Sequence, residues 1–391
     1  AGLYIPENSS SKCYAINSSV TIRGGYPADA TGTDVPSEPQ KYQTIFDGDA
    51  SNELFFAKNN AKNLVFSGVQ IINCRGTGIL RIVNNADSLV VMNSVFSNCE
   101  EFALRDLYNS KSLYVRNTMF LNNNNSIHIP SVISTKIEKC SFIENSGYLI
   151  LNESLESGSK LLIDSVSFID NEGSLIVRGS VSTDIVNSIF NRSSGHYFNS
   201  SSLISIRKCK ISSSEDLWLS TSTSDIIKVD SCVFIDNEAL LINGPSELFI
   251  FNSLVENNIS LPIIQETDNC VVEKSSFYNN GHQYVDATPM VSAGNIRVEN
   301  SVCANNRTGY GIFHVKDALI ANNNTILGVR KNVVHGSSKI AMNGNIILYN
   351  DSLDDGLGNL HPNSLYDDFE YFLSFKNNVI FGDRDDFWDK E

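Results

Sequence analysis

A short alternating apolar strand recurs along most of the chain, followed by a small polar residue, one bulky apolar residue and a polar run that usually contains Asn. The phrase reads Asn93-Ser94-Val95-Phe96, Asn117-Thr118-Met119-Phe120-Leu121-Asn122-Asn123, Lys139-Cys140-Ser141-Phe142-Ile143-Glu144-Asn145 and Ser165-Val166-Ser167-Phe168-Ile169-Asp170-Asn171. It returns at Ile189-Phe190, Ser231-Cys232-Val233-Phe234-Ile235-Asp236-Asn237 and Ser276-Phe277-Tyr278-Asn279-Asn280. With the bulky residue as anchor, the positions are 71, 96, 120, 142, 168, 190, 211, 234, 255, 277, 303, 326, 346 and 379. Neighbouring anchors lie 20 to 26 residues apart, except for a last gap of 33.

A strand with strict alternation precedes each phrase, as in Ser88-Leu89-Val90-Val91-Met92 and Lys160-Leu161-Leu162-Ile163-Asp164, and a third apolar run follows, as in Ser174-Leu175-Ile176-Val177. Three short strands with turns make one coil of a parallel β-helix. No stretch keeps the 3.6-residue period of a long helix. A leucine-rich solenoid would need Leu at fixed spacings, and a propeller a period near 40.

In this reading Phe96, Phe120, Phe142, Phe168, Phe190, Phe234 and Phe277 stack inside the tube as core. Asn123, Asn145, Asn171, Asn237, Asn258, Asn280 and Asn306 fall three residues after their anchors, where the chain turns. Asn tolerates left-handed backbone, and its amide can bond the equivalent group one coil away. The expected organisation is a single domain over 1–391, since stacked repeats have no size at which one core must stop growing. Residues 1–60 form an N-terminal cap and opening coils with a loop at 27–43. Regular coils fill 61–349, and 350–391 hold a long acidic loop with a C-terminal coil or cap. Fourteen coils at about 4.8 Å of rise give a rod near 65 Å, the shape of a spacer.

The Phe-x-x-Asn phrase, intact at Phe120, Phe142, Phe168, Phe234 and Phe277, resembles the repeat of the polymorphic outer membrane protein family. More widely it is similar to right-handed β-helix surface proteins of the pectate-lyase-like superfamily. Gly2-Leu3-Tyr4, Val20-Thr21-Ile22-Arg23-Gly24-Gly25-Tyr26-Pro27 and Thr44-Ile45-Phe46-Asp47-Gly48-Asp49 look like the first coils of such secreted proteins. The family's Gly-Gly-Ala-Ile motif is absent, with Gly147-Tyr148-Leu149-Ile150 and Gly173-Ser174-Leu175-Ile176 in its place. The resemblance implies an all-β, single-stranded right-handed parallel β-helix of about fourteen coils with three short strands each. This architecture carries lyases, hydrolases, adhesins and passive stalks alike.

Charge narrows the partners. The chain of 391 residues has a formal charge of −15, with 29 Lys and Arg against 44 Asp and Glu. Nucleic acid and anionic membranes require a basic strip, which this sequence lacks. No apolar run is long enough to span a membrane, and the start at Ala1 carries no signal-peptide pattern. The acidic tail from Asp383 to Glu391 ends abruptly, which suggests a monomeric module of a longer protein.

Cys74 and Cys99 each follow an anchor by three residues, and Cys209 and Cys232 each precede one by two. Stacked residues in adjacent parallel strands are close enough for a disulfide, so both pairs are candidate bridges, the alternative being small buried thiols. Cys13, Cys140, Cys270 and Cys303 have no assigned partner. Asn-x-Ser/Thr sequons run from Asn8 to Asn350, a number that a composition rich in Asn and Ser generates by itself.

For catalysis, His335 with Asp354 and Asp355 faintly resembles the His-Gly and acidic pair of polygalacturonases. The Asn-Thr-Asp and Arg-x-Lys phrases are missing, and the His precedes the acidic pair. Asp164, Asp184, Asp230 and Glu273 are scattered. Asp351, Asp354, Asp355, Asp367 and Asp368 offer oxygen ligands for Ca²⁺, but without EF-hand spacing, and a solvated loop is the simpler reading. Tyr197, Trp218, Tyr284, Tyr310 and Tyr366 lie outside anchor positions, where aromatics can hold a sugar chain. The expected function is a non-catalytic extracellular or cell-surface adhesin, spacer or display scaffold with a surface protein or polysaccharide as ligand and no cofactor. The rival is a polysaccharide lyase, a polygalacturonase-like hydrolase or a carbohydrate-binding derivative of one.

Overall fold

The structure, a computed structural model, describes residues 2–4, 13–27, 38, 41–48, 53–82, 86–107, 110–154, 158–179, 182–200, 203–221, 226–259, 263–281, 289–306, 312–329, 333–335, 339–349 and 372–381. Every regular element among them is a β-strand. The chain divides into two compact units, Ala1–Ser202 and Leu203–Glu391.

In the first unit a typical coil consists of Ser88–Met92, Val95–Ser97 and Phe102–Leu107. Each strand pairs in parallel with its counterpart one coil on, so that Phe96 faces Phe120, Phe120 faces Phe142, Phe142 faces Phe168 and Phe168 faces Phe190. Their rings stack 4.6 to 5.2 Å apart at angles of 8 to 16°. All five are buried. Parallel pairing in register forces like side chains into contact, and flat rings meet that demand with little void.

The middle strand is three residues long because a left-handed residue stands at each end. Asn93 and Asn98 bracket the first, Asn117 and Asn122 the next, then Lys139 and Glu144, Ser165 and Asp170, and Asn187 and Arg192, all with φ between 47 and 58°. Sequence placed the left-handed turn at the Asn three residues past each anchor; it falls one residue earlier. The left-handed residue points its side chain to solvent, where Glu, Asp and Arg are as acceptable as Asn. The following Asn turns inward and is buried.

That buried Asn makes a relay. The Asn123 N–H and Nδ2 donate to Asn145 Oδ1 at 2.9 and 3.1 Å, and Asn145 does the same to Asn171 Oδ1. Each Nδ2 also bonds a backbone carbonyl, that of Phe96 for Asn123 and of Phe120 for Asn145. A buried polar side chain is tolerable only when so satisfied.

The second unit repeats the design through Asn237, Asn258, Asn280 and Asn306. Here a second ladder, which sequence did not anticipate, runs two residues before the anchors. The N–H of Cys232 donates to Ser253 Oγ, Ser253 to Ser275, Ser275 to Ser301, Ser301 to Asn324 Oδ1, Asn324 to Asn345 and Asn345 to Asn378. Its sequence signal was the small polar residue before each strand.

One expectation shifts. The anchor is Ile347, which is buried, and not residue 346, and its backbone pairs with that of Ile380. Ile346 and Val379 face outward, 44 and 47% exposed, because Asn345 and Asn378 fix the register two residues before the inward position. The short strands recur coil by coil, and in places two of them run on as one. Ile264–Glu273 pairs at its start with Ala239–Asn243 and at its end with Glu247–Phe251, merging the third strand of one coil with the first of the next. Glu53–Ser67 likewise pairs with both Thr77–Ile82 and Ser88–Met92.

Candidate functional site

The first unit carries a groove of about 1150 Å³ along the corner that precedes the middle strands. Its floor includes Gln70, Val95 and Met119, the outward residues of three successive middle strands. Along its edge Asn117 Nδ2 donates to Asn93 Oδ1 at 3.1 Å. A wall is supplied by Glu38 and Lys41, 3.7 Å apart and held by the bond from Glu38 N to Gly25 O. Lys139 stands further along the lining. Amides, hydroxyls, two ammonium groups and a half-exposed methionine suit hydrogen bonding to a neutral or acidic chain lying across the coils. Among the described residues of this lining Glu38 is the one carboxylate.

Carboxylates elsewhere serve the coil-to-coil stack. Asn73 donates to Asp47, Asn187 to Asp164, Asn252 to Asp230 and Asn257 to Asp236, each at 2.9 to 3.2 Å. Arg192 grips Asp170 with two nitrogens. The Asn187 amide holds Asp164 below the usual carboxylate range, as the Arg192 guanidinium does Asp170. Lys136 lowers Glu138 in the same way, and Arg297 lowers Glu299. Among the described residues no group of three or more His, Cys, Asp or Glu is placed to hold a metal ion.

Of the candidates from sequence, Asp164 and Asp230 belong to these ladders, and Glu273 pairs with Lys274 at 3.0 Å. The backbone of His335 pairs with that of His314, in the second unit. Asp351, Asp354, Asp355, Asp367, Asp368, Tyr284, Tyr310 and Tyr366 lie outside the described residues. Tyr197 is 37% exposed.

All eight cysteines are free thiols in the structure. The Cys74 and Cys99 thiols donate to the Ile72 and Ser97 carbonyls and those of Cys209 and Cys232 to Arg207 and Asp230, and within each pair the thiols influence each other's titration, so the two pairs singled out by spacing are neighbours. Three sequons are closed to glycosylation in the folded chain, because Asn152, Asn258 and Asn306 are buried.

Two histidines had no sequence signal. His196 is wholly buried against the edge of Phe190 at 4.9 Å, and its Nδ1 accepts the Leu175 N–H. Burial pushes it down to about 3. His128 lies on the opposite side of its sheet, beside Arg105 and Glu153. Neither could be found from spacing, since the third strand of each coil varies in length.

The parallel coils, the inward ladders and the bracketed three-residue strand define a β-helix, and the family described as "Right handed beta helix region" matches residues 135–261 and 197–353. The chain belongs to this right-handed β-helix family. No curated protein and no solved structure matches it. Among the described residues no helix is long and apolar enough to cross a membrane.

Proposed function

We propose that the chain is a non-catalytic extracellular or cell-surface module that extends, displays or adheres. The observation that carries this reading is the engagement of surface carboxylates: Asp47, Asp164, Asp170, Asp230 and Asp236 each bond a residue one coil away. Acids held this way brace a stack and are poor proton donors, because Asp164 and Asp170 are held below the usual carboxylate range and the others have an oxygen occupied by an amide. The Phe-x-x-Asn resemblance to polymorphic outer membrane proteins supports the same surface placement.

The groove beside Met119 favours a second reading, a carbohydrate-active β-helix or a sugar-binding derivative of one. Incubating the full chain with pectic and other polysaccharides separates the two. Retention without new reducing ends or unsaturated products is the expected result. Turnover of any polymer would replace the scaffold with the enzyme, and absence of both retention and turnover would leave the spacer role alone.

A further inference from the structure

In the first unit one column of side chains runs from coil to coil as Leu80, Arg105, His128, Leu151, Ile176 and Tyr197, fixed by parallel register. Its neighbours along each strand, such as Ile127 and Ile129, point into the core and are fully buried. The column therefore belongs to the outer face. Arg105 and His128 each keep one buried nitrogen without a hydrogen-bond partner. His128 is 8% exposed, with Nε2 3.4 Å from Glu153 Oε2 and nothing bonded to the buried Nδ1. Arg105 has its Nε buried and unbonded and makes no ion pair among the described residues. Its guanidinium lies 5.7 Å from the centre of the Phe102 ring, and that ring stacks on His128 at 4.9 Å. Arg178 approaches the other oxygen of Glu153 at 3.7 Å.

Burial, and after it Arg105, hold His128 below the usual histidine range, so the ring is neutral at pH 7. An ionised carboxylate only accepts hydrogen bonds, so Glu153 places the imidazole proton on Nε2 and leaves Nδ1 a bare acceptor. A buried bare acceptor takes a donor, and an unpaired guanidinium takes an anion. Arg105 and His128 are register partners on neighbouring parallel strands, about 4.8 Å apart, and both lie beside the Phe102 ring, so one small molecule can span them. Among the described residues two guanidiniums stand against one carboxylate, a locally positive balance on a chain of formal charge −15 that draws anions to it. Phe102 touches both residues and fixes their orientation.

We propose that Arg105 and His128 form a binding site for a hydroxy-carboxylate, with the carboxylate on Arg105 and the hydroxyl donating to His128 Nδ1. A free hydroxy acid and a sugar acid within a glycan share this chemistry. The site lies on other residues than the groove, and the inference goes beyond the scaffold reading.

Titration calorimetry of the full chain tests it, with D-gluconate and a hexuronate polymer as ligands. Propionate, which lacks the hydroxyl, and galactose, which lacks the carboxylate, are the controls. At least one acid is expected to bind at least tenfold more tightly than either control, and Arg105→Gln to weaken that binding at least tenfold. Should Arg105→Gln fail to fold, Arg105→Lys, which keeps the charge and loses the planar fork, reads the same loss. Tighter binding of polymer than of gluconate assigns the glycan source, and the reverse assigns the free acid. Binding of propionate as tight as that of the acids, undiminished affinity in a folded Arg105 variant, or no binding of either acid overturns the site. Cleavage of the polymer in the same cell would overturn the non-catalytic reading without touching this one.

Discussion

Asn145 and Asn171 are joined by two hydrogen bonds that end on one oxygen: the Asn145 N–H and its Nδ2 both donate to Asn171 Oδ1 at 3.0 Å. All the atoms involved are buried. Removing the Asn171 amide therefore strips the acceptor from two buried donors one coil away, besides losing the bond from its own Nδ2 to Phe142 O. Asn171→Ala is expected to destabilise the first unit by roughly 2–4 kcal/mol, since each buried group left unsatisfied costs about 1–3 kcal/mol. Asn171→Asp keeps an acceptor but buries a charge and loses the donor, and is expected to fare no better. Urea unfolding of the three proteins is the measurement. A variant within experimental error of the parent would show that the relay does not stabilise the stack.

Phe142 is held between Phe120 at 4.7 Å and Phe168 at 4.9 Å. Phe142→Ala leaves a cavity between two rings and is expected to cost about 3–5 kcal/mol. Phe142→Leu refills most of the volume but breaks the stacking, for which about 1–2 kcal/mol is expected. Because a solenoid is stabilised by contacts between neighbouring coils, hydrogen exchange should accelerate first in the middle strands at Phe120 and Phe168. Uniform acceleration across the first unit would contradict this.

The repeat was legible because parallel register puts like residues in one column. A chain that must stack Phe on Phe and Asn on Asn writes its period openly, and Phe120, Phe142 and Phe168 made it visible. The left-handed position was misplaced by one residue because solvent-facing turn residues are chemically free: Glu144, Asp170 and Arg192 share one backbone conformation and no side-chain type. The final register slipped for a related reason. Ile346 and Ile347 are both apolar, and only the amide of Asn345 decides which points inward. The cluster around His128 had no period to reveal it, since Arg105, His128, Leu151 and Ile176 are unlike residues in one column.

His196 supplies an acid-sensitive point. Its folded pKa of about 3 lies below the ordinary histidine value of 6.5, so the unfolded chain takes up the proton first as pH falls. Stability from this residue is complete above pH 6.5 and declines below it by about 1.4 kcal/mol per pH unit until roughly pH 3. His128, also held low, acts in the same direction. The depressed carboxylates Asp164, Asp170, Glu138 and Glu299 add their loss only nearer their own range. The window from pH 6.5 to 5 therefore isolates the histidines. Denaturation measured at those two pH values should show a smaller difference in His196→Gln than in the parent; equal differences would remove His196 from the account.

The stacked thiols differ in readiness to oxidise. Disulfide formation begins with a thiolate, and Cys232 is drawn below the usual thiol range by its neighbour Cys209. Cys74 is pushed up by its neighbour Cys99 and by burial, and burial pushes Cys140, Cys270 and Cys303 up to about 12. Under oxidised glutathione at pH 7.5 the Cys209–Cys232 bridge is expected to appear before Cys74–Cys99. The remaining buried thiols are expected to resist, since none has a sulfur neighbour one coil away. Peptide mapping by mass spectrometry under non-reducing conditions gives the order. Earlier formation of Cys74–Cys99, or bridges that mix the two pairs, would show that access through the wall of the coil governs oxidation more strongly than thiolate character does.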